Sequence, residues 1–434
     1  MEPRHILVAT YYYPPSTNVG AHRWESMTRH LRALGHRVTI LTSALNGLAP
    51  DDAEQGIVRA WDLQASTQLR SMLRRAPLEA AANAKAGAPS DGTTPPRWMT
   101  HGLVPDSGVV TWLPSALRET RRILRRDRVD CIVTTGPPDS VSLLPLMLGR
   151  RRPPWIVDFR DGWRFEPLRD GWPTDCQDRL DARLEARVVR TAEVAVGVSP
   201  PIVDDLASRL GARAAWVPNA WDPCIEQTLS PDAAVDLDSK FFNLVYTGRL
   251  TGAGGRVIEG LLEALNRLEL RGADAVGRKL RLVVLGGLDK REEALLAPLQ
   301  QAGRVVAVGQ VSRETAIMTQ READALLLLT APGRASHATG KLYEYLAARR
   351  PVIALAEGSA AASIVRDARA GVVVSAADAS AIYDVLARLE AEPLAYRPVE
   401  RELDRYRFPG PAMEIAGLVE DAIAMAARGN RRDA

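Results

Sequence analysis

Long apolar runs are missing from this 434-residue sequence. No stretch approaches the ~18 consecutive apolar residues that a membrane-spanning helix needs, and Met1-Glu2-Pro3-Arg4-His5 carries no apolar signal-peptide core, so the cytoplasm is the expected location. Cysteine is scarce. Cys131, Cys176 and Cys224 stand far apart, with no Cys-x-x-Cys or Cys/His spacing, which argues against a disulfide framework and against a zinc site. Of 56 basic residues only Lys85, Lys240, Lys279, Lys290 and Lys341 are lysine, a bias that reflects genome composition more readily than function. The net charge of +3 is too small to argue for a nucleic-acid partner. Neither a Gly-x-Gly-x-x-Gly after the first apolar run nor a Gly-x-x-x-x-Gly-Lys-Ser/Thr occurs, which argues against dehydrogenases and P-loop enzymes. His5, His22, His30, His36, His101 and His337 form no close cluster.

What is present is globular. With 46% hydrophobic and 25% charged residues, the chain has the composition of a packed protein, and its length suits two domains of about 200 residues. His5 to Thr10 reads as a strand, and Tyr11-Tyr12-Tyr13-Pro14-Pro15 ends it. From Gly20 the period becomes helical, with Trp24, Met27, Leu31 and Leu34 on one face and Gly35 as a stop, before Arg37 to Leu41 restores a strand. Further strands are expected at 129–133, 155–157 and 194–198, then at 244–246, 282–285, 305–308, 325–329, 352–355 and 372–374, separated by helical patterns. The fold class is therefore α/β, with two doubly wound Rossmann-like domains. Residues 44 to about 110, rich in Ala, Pro and Gly from Ala80 to Pro96, read as a flexible insertion. Interruptions between Pro218 and Lys240 and at Phe408-Pro409-Gly410-Pro411 give expected divisions of 1–221, 222–408 and a last helix, 409–434, that can cross back to the first domain.

Two such domains are expected to face across a cleft at the carboxyl ends of their strands, where ligands of this fold class bind. Tyr246-Thr247-Gly248-Arg249-Leu250 leaves a strand and continues to Arg256 through Thr251-Gly252-Ala253-Gly254-Gly255. Glycines let backbone N–H groups approach an anion, and Arg249 or Arg256 suits a diphosphate; an ordinary turn is the plainer reading. Gly340 and Lys341 at a helix start suit phosphate too, and Glu344 one turn inward can accept bonds from ribose hydroxyls or merely sit on a solvated face. His337 is the one histidine in these loops. In the first half, Asn18 and Gly20 precede a helix as a phosphate or sugar contact, or as a plain cap. Asp158, Arg160 and Asp161 follow an apolar run and are expected either to line the cleft or to form a structural ion pair. Asp236-Leu237-Asp238 spells a metal-holding pattern, but it precedes the strand, so no metal role is expected. Arg118, Arg121, Arg122, Arg125 and Arg126 stripe one helical face, which is either solvated or a peripheral contact with anionic membrane at the inner face of the cell membrane.

Order and spacing of these segments together resemble bacterial glycosyltransferase family 4, in the branch of surface-polysaccharide biosynthesis. The resemblance rests on Tyr12-Tyr13-Pro14-Pro15 with Gly20, Val104-Pro105-Asp106-Ser107 before Trp112, Thr135-Gly136-Pro137-Pro138, Asp158-Phe159-Arg160-Asp161-Gly162-Trp163, Val217-Pro218-Asn219-Ala220, Tyr246-Thr247-Gly248, and Gly340 to Tyr345 before Arg350-Pro351-Val352-Ile353. It implies a GT-B fold in which the second domain binds a nucleoside-diphosphate sugar and the first a glycan, lipid-linked or small-molecule acceptor. It also implies retaining transfer with no metal or other cofactor. Glu344 matches the second glutamate of the family's Glu-x7-Glu motif, while Ser336 stands where the first would be. Arg256 matches a basic residue that binds donor phosphate, Arg249 is similar to the arginine of the Gly-Arg-Leu segment, and Arg160, beside Asp161, replaces the family's histidine. The expected catalytic set is Arg160, Asp161, Arg256 and Lys341; Gly20, Gly248, Arg249, Gly340 and Glu344 complete the donor site, and Asn18, Asp158, Ser336 and His337 contact sugar or acceptor. A nucleotide-sugar epimerase on the same fold and a non-catalytic sugar-nucleotide binding protein are the alternatives.

Overall fold

The computed structural model describes residues 2–16, 18–62, 102–106, 108–167, 171–226, 229–251, 257–271, 277–392 and 394–432. The chain divides into two compact units, Met1–Val217 with Ala412–Ala434, and Pro218–Pro411.

The first unit is built on a parallel sheet of seven strands: β1 (His5–Thr10), β2 (Arg37–Ser43), β3 (Ile57–Ala60), β4 (Cys131–Gly136), β5 (Trp155–Phe159), β6 (Val194–Gly197) and β7 (Ala214–Trp216), in the order β3-β2-β1-β4-β5-β6-β7. β1, β4 and β5 are buried along their whole length, as helices on both faces require, and this is why they read as unbroken apolar runs. Helix Val19–Ala33 buries Trp24, Met27 and Leu31 completely. It stops where Gly35 takes φ +91°, so that His36 N–H reaches back to Leu31 O and Gly35 N–H to Arg32 O. The last helix, Gly410–Arg432, belongs to this unit and is held by Arg4 on Glu420 at 2.7 and 2.8 Å and by Arg213 on Asp421 at 2.7 Å.

The second unit carries a six-stranded parallel sheet: β8 (Phe242–Thr247), β9 (Leu280–Leu285), β10 (Val305–Gly309), β11 (Ala325–Leu329), β12 (Val352–Leu355) and β13 (Gly371–Val374), in the order β10-β9-β8-β11-β12-β13. Its core joins Phe242, Leu282 and Leu327 to Leu261, Leu265 and Leu386 from helices Glu259–Leu270 and Ala379–Ala391. In both sheets the strand order reverses beside the first strand, between β1 and β4 and between β8 and β11, which makes the carboxyl ends of these pairs the natural ligand crevices.

Two expectations need correction. Part of the stretch read as a flexible insertion is ordered sheet, because Ile57–Ala60 pairs in register with Ile40–Ser43. Its four residues are too short for a periodic signal and gain their structure from the neighbouring strand; Ala80–Pro96 lies outside the described residues. β7, only three residues long, was likewise invisible as a pattern.

Candidate functional site

At the reversal point of the second unit, β8 ends on Thr247, whose backbone N–H and Oγ1 both meet the hydroxyl of Tyr345 at 3.1 Å. Tyr345 is fully buried in helix Gly340–Ala348, and burial raises its pKa far above the ordinary phenol value, so it stays protonated. Gly248 follows with φ +97°, donating to Leu285 O at 2.6 Å. A Cβ on Gly248 would lie 2.6 Å from Nζ of Lys341, so the lysine occupies the space that the glycine leaves. Lys341 Nζ sits 4.5 Å from the centroid of the buried Tyr246 ring and donates to its hydroxyl at 3.1 Å. The Tyr246 hydroxyl in turn donates to Arg249 O. Tyr246 and Gly248 at the end of one strand and Lys341, 95 positions after Tyr246 at the start of a helix, thus form one cationic corner.

The loop beyond is pinned at its start. Buried Glu292 accepts from the N–H of Thr251 at 2.8 Å and from its hydroxyl, while also completing a capping box with Asp289. Arg249 is exposed on this loop; Arg256 lies outside the described residues. Thr339 occupies the N-cap position of helix Gly340–Ala348 without a side-chain capping bond, and Gly340 is exposed there, so the helix presents its first amides without a side-chain acceptor from its cap. Ser336 and His337 are half-buried in the preceding loop, which is tied to helix Ala360–Asp367 through Ala335 O and His337 O at 2.7 and 3.1 Å. One turn along from Lys341, Glu344 Oε1 accepts two bonds from Arg313, at 3.2 and 3.1 Å.

The first unit builds its own cationic corner where β1, β4 and β5 end. Asn18 caps helix Val19–Ala33 by accepting from Gly20 N–H at 2.9 Å. Arg160 donates from its backbone N–H and Nε to Gly136 O, at 3.0 and 3.2 Å, and from Nη2 to Pro137 O. Its guanidinium covers Gly20 so closely that a Cβ there would stand 2.8 Å from Cζ. Burial pulls the Arg160 pKa below its ordinary value, against the opposing charges of Asp158 and Asp161. A partly buried cation beside a helix N-terminus is poorly placed on its own and well placed for an arriving anion.

Asp161 is half-buried on a braced loop. Trp163 donates to Asp181 at 2.9 Å, and Arg164 binds Asp178 and Asp181 at 3.0 Å. Asp158 departs from expectation. It is completely buried and accepts from Arg23 Nε and Nη2 at 3.3 and 3.1 Å, Trp24 at 2.8 Å and Thr135 at 2.9 Å. The ion-pair reading is the correct one, and Asp158 has no surface to offer an acceptor.

Residues 20–220 match the family model described as glycosyl transferase 4-like domain, and residues 242–392 match that of glycosyl transferases group 1. The chain belongs to the group 1 glycosyltransferases. Sucrose-phosphate synthase from Thermosynechococcus elongatus is similar in structure, with a TM-score of 0.64 at 16% identity, covering 97% of this chain and 100% of that one. The UDP-forming trehalose-phosphate synthase from Burkholderia vietnamiensis aligns with a TM-score of 0.56 at 12% identity over 96% and 97% of the two chains. UDP-GlcNAc 2-epimerase from Methanocaldococcus jannaschii gives 0.50 at 11% over 96% and 99%. At such identities these likenesses establish the GT-B fold. No curated protein matches the sequence. No helix among the described residues is long and apolar enough to cross a membrane.

In this glycosyltransferase, two residues that sequence reasoning passed over brace the corners, Glu292 on Thr251 and Arg313 on Glu344, and Tyr246, read only as part of its segment, lies under Lys341. Each acts through a partner 31 to 95 positions away, so no local pattern marks the contact.

Proposed function

We propose that this transferase is a retaining enzyme that takes a hexosyl group from a nucleoside-diphosphate sugar held by the second unit. The observation that carries this reading is the meeting of Lys341, Gly248 and Tyr246 at the start of helix Gly340–Ala348. In the reaction, the bond from the anomeric carbon to the diphosphate oxygen breaks. The acceptor oxygen bonds to that carbon on the same face, and the acceptor proton passes to the departing diphosphate. Negative charge grows on the diphosphate as it leaves. Lys341, Arg249, Arg256 and the helix amides meet that charge, in place of a metal ion, and no cofactor takes part.

On the first unit, Arg160 over Gly20 is suited to an anionic group of either substrate, and Asp161 to a sugar or acceptor hydroxyl, with Asn18 at the helix cap nearby. Ser336 and His337 belong to the donor-sugar side. The acceptor is a glycan, lipid-linked or small molecule of a surface-polysaccharide pathway in the cytoplasm. The arginine stripe supports peripheral contact with anionic lipid, since Arg118, Arg121, Arg122, Arg125 and Arg126 are all exposed while Ala116, Thr120 and Ile123 turn inward. A second reading, nucleotide-sugar epimerisation, is favoured by the structural likeness to an epimerase of the same fold.

One experiment separates these readings. The protein is incubated with a panel of nucleoside-diphosphate sugars, with and without acceptors, while released diphosphate and sugar isomers are followed. Acceptor-dependent diphosphate release, with the anomeric configuration kept, supports retaining transfer. An isomerised sugar with donor alone supports the epimerase, and inverted product overturns the retaining mechanism.

A further inference from the structure

We infer that Arg313 is a positioning residue that aims Glu344 at the ribose of the donor, and so helps select ribonucleotides. The inference rests on the sugar-nucleotide reading of the second unit. Glu344 stands three residues after Lys341 in helix Gly340–Ala348, hence on the same face and about 4.5 Å further along the axis. A diphosphate at Lys341 and a ribose at Glu344 match the order of groups in a nucleoside diphosphate. Both Nε and Nη2 of Arg313 converge on a single oxygen of Glu344, Oε1. That geometry fixes the carboxylate rotamer and leaves Oε2 for the ligand's hydroxyls.

Stability does not account for this arrangement. Arg313 opens helix Arg313–Glu322, where a cation is disfavoured by the helix dipole. The pair is also partly exposed, at 42% and 25% for the two side chains, which makes it a weak stabiliser. Its backbone is nonetheless held firmly, because Ser312 caps the helix by accepting from Thr315 N–H at 3.0 Å. A well-anchored arginine thus contributes little to folding, while restraining the one carboxylate that follows the phosphate-binding lysine on its helix.

The test is a comparison of dissociation constants by calorimetry. UDP, GDP and ADP are titrated into the wild-type protein, and the tightest is then compared with its 2′,3′-dideoxy counterpart, which has no hydroxyls for Glu344. The wild type is expected to favour the ribonucleotide by about tenfold or more. In Arg313→Ala and Glu344→Gln, affinity for the ribonucleotide falls toward that for the dideoxy form, whose own affinity is unchanged and so reports correct folding. Arg313→Ala added to Glu344→Gln brings no further loss, and Arg313→Lys recovers part of the preference. Equal weakening of both nucleotides in Arg313→Ala, or no change in either, overturns the role of Arg313 while leaving the donor site intact. If none of the three diphosphates binds to the wild type, the sugar-nucleotide reading itself fails, and this inference with it.

Discussion

Lys341 fills the space that a side chain on Gly248 would need: an added Cβ would lie 2.6 Å from its Nζ and 2.9 Å from its Cε. The two residues belong to different elements, Gly248 directly after the end of a strand and Lys341 in the first turn of a helix, and the Tyr246 ring lies under the lysine.

Gly248→Ala therefore carries two penalties. At φ +97° an L-residue is strained, at a cost of roughly 1–3 kcal/mol, and the new methyl drives Lys341 off Tyr246. A lower melting temperature is expected together with at least a tenfold rise in donor KM. A variant with unchanged KM would show that the lysine's seat is irrelevant to donor binding.

Gly20→Ala separates activity from folding. Gly20 lies in the first turn of helix Val19–Ala33 without a left-handed backbone, so alanine stabilises the helix by about 0.5–1 kcal/mol on propensity alone. The added methyl must displace the Arg160 guanidinium from its place over the turn. Melting temperature is expected to hold while turnover falls about tenfold or more, as removal of one charged contact implies. Unchanged turnover would remove Arg160 from the catalytic set.

Much of this was legible in the sequence, and the limits have physical causes. Central strands such as β4 and β11 are buried on both faces and announce themselves as apolar runs; β3 and β7, short and at sheet edges, do not. Gly340-Lys341 was readable because a helix start needs nothing beyond its own neighbours. Asp158 misled because charge after an apolar run looks like a strand end, yet β5 continues through Phe159 and Arg23 answers the carboxylate from 135 residues away.

Asp158→Ala should therefore fail as a folding variant. It removes the counter-charge of Arg23, whose side chain is only 5% exposed and keeps its bond to Val217 O, and loss of one partner of a buried pair costs about 3–5 kcal/mol. Chemical denaturation measures this; a loss under about 1 kcal/mol would contradict the ion-pair role.

Acid should destabilise the first unit in two stages. Burial lowers the pKa of His5, whose Nδ1 is bonded to Arg128 O at 3.0 Å and whose Nε2 is bonded to Thr39 Oγ1 at 2.9 Å; Arg37 adds to the shift, and Asp127 and Asp130 oppose it. The unfolded chain then binds a proton that the folded chain refuses, so the stability linked to His5 is intact above about pH 6.5 and declines below it. Glu420, held below the usual carboxylate range by its hydrogen bonds to Arg4, adds a second loss below about pH 4.5. Melting temperatures from pH 8 to 4 should show both steps; the buried His36, whose pKa burial also lowers, shares the first, so His5→Gln should shrink that step and leave the second unchanged.

The most direct measurement is calorimetric titration of UDP, GDP and ADP into the wild type and into Lys341→Ala. Binding of at least one diphosphate by the wild type, weakened about 10- to 150-fold by loss of the lysine, is the expected result. Equal affinity in the two proteins would contradict the claim that this corner of the second unit holds the leaving group.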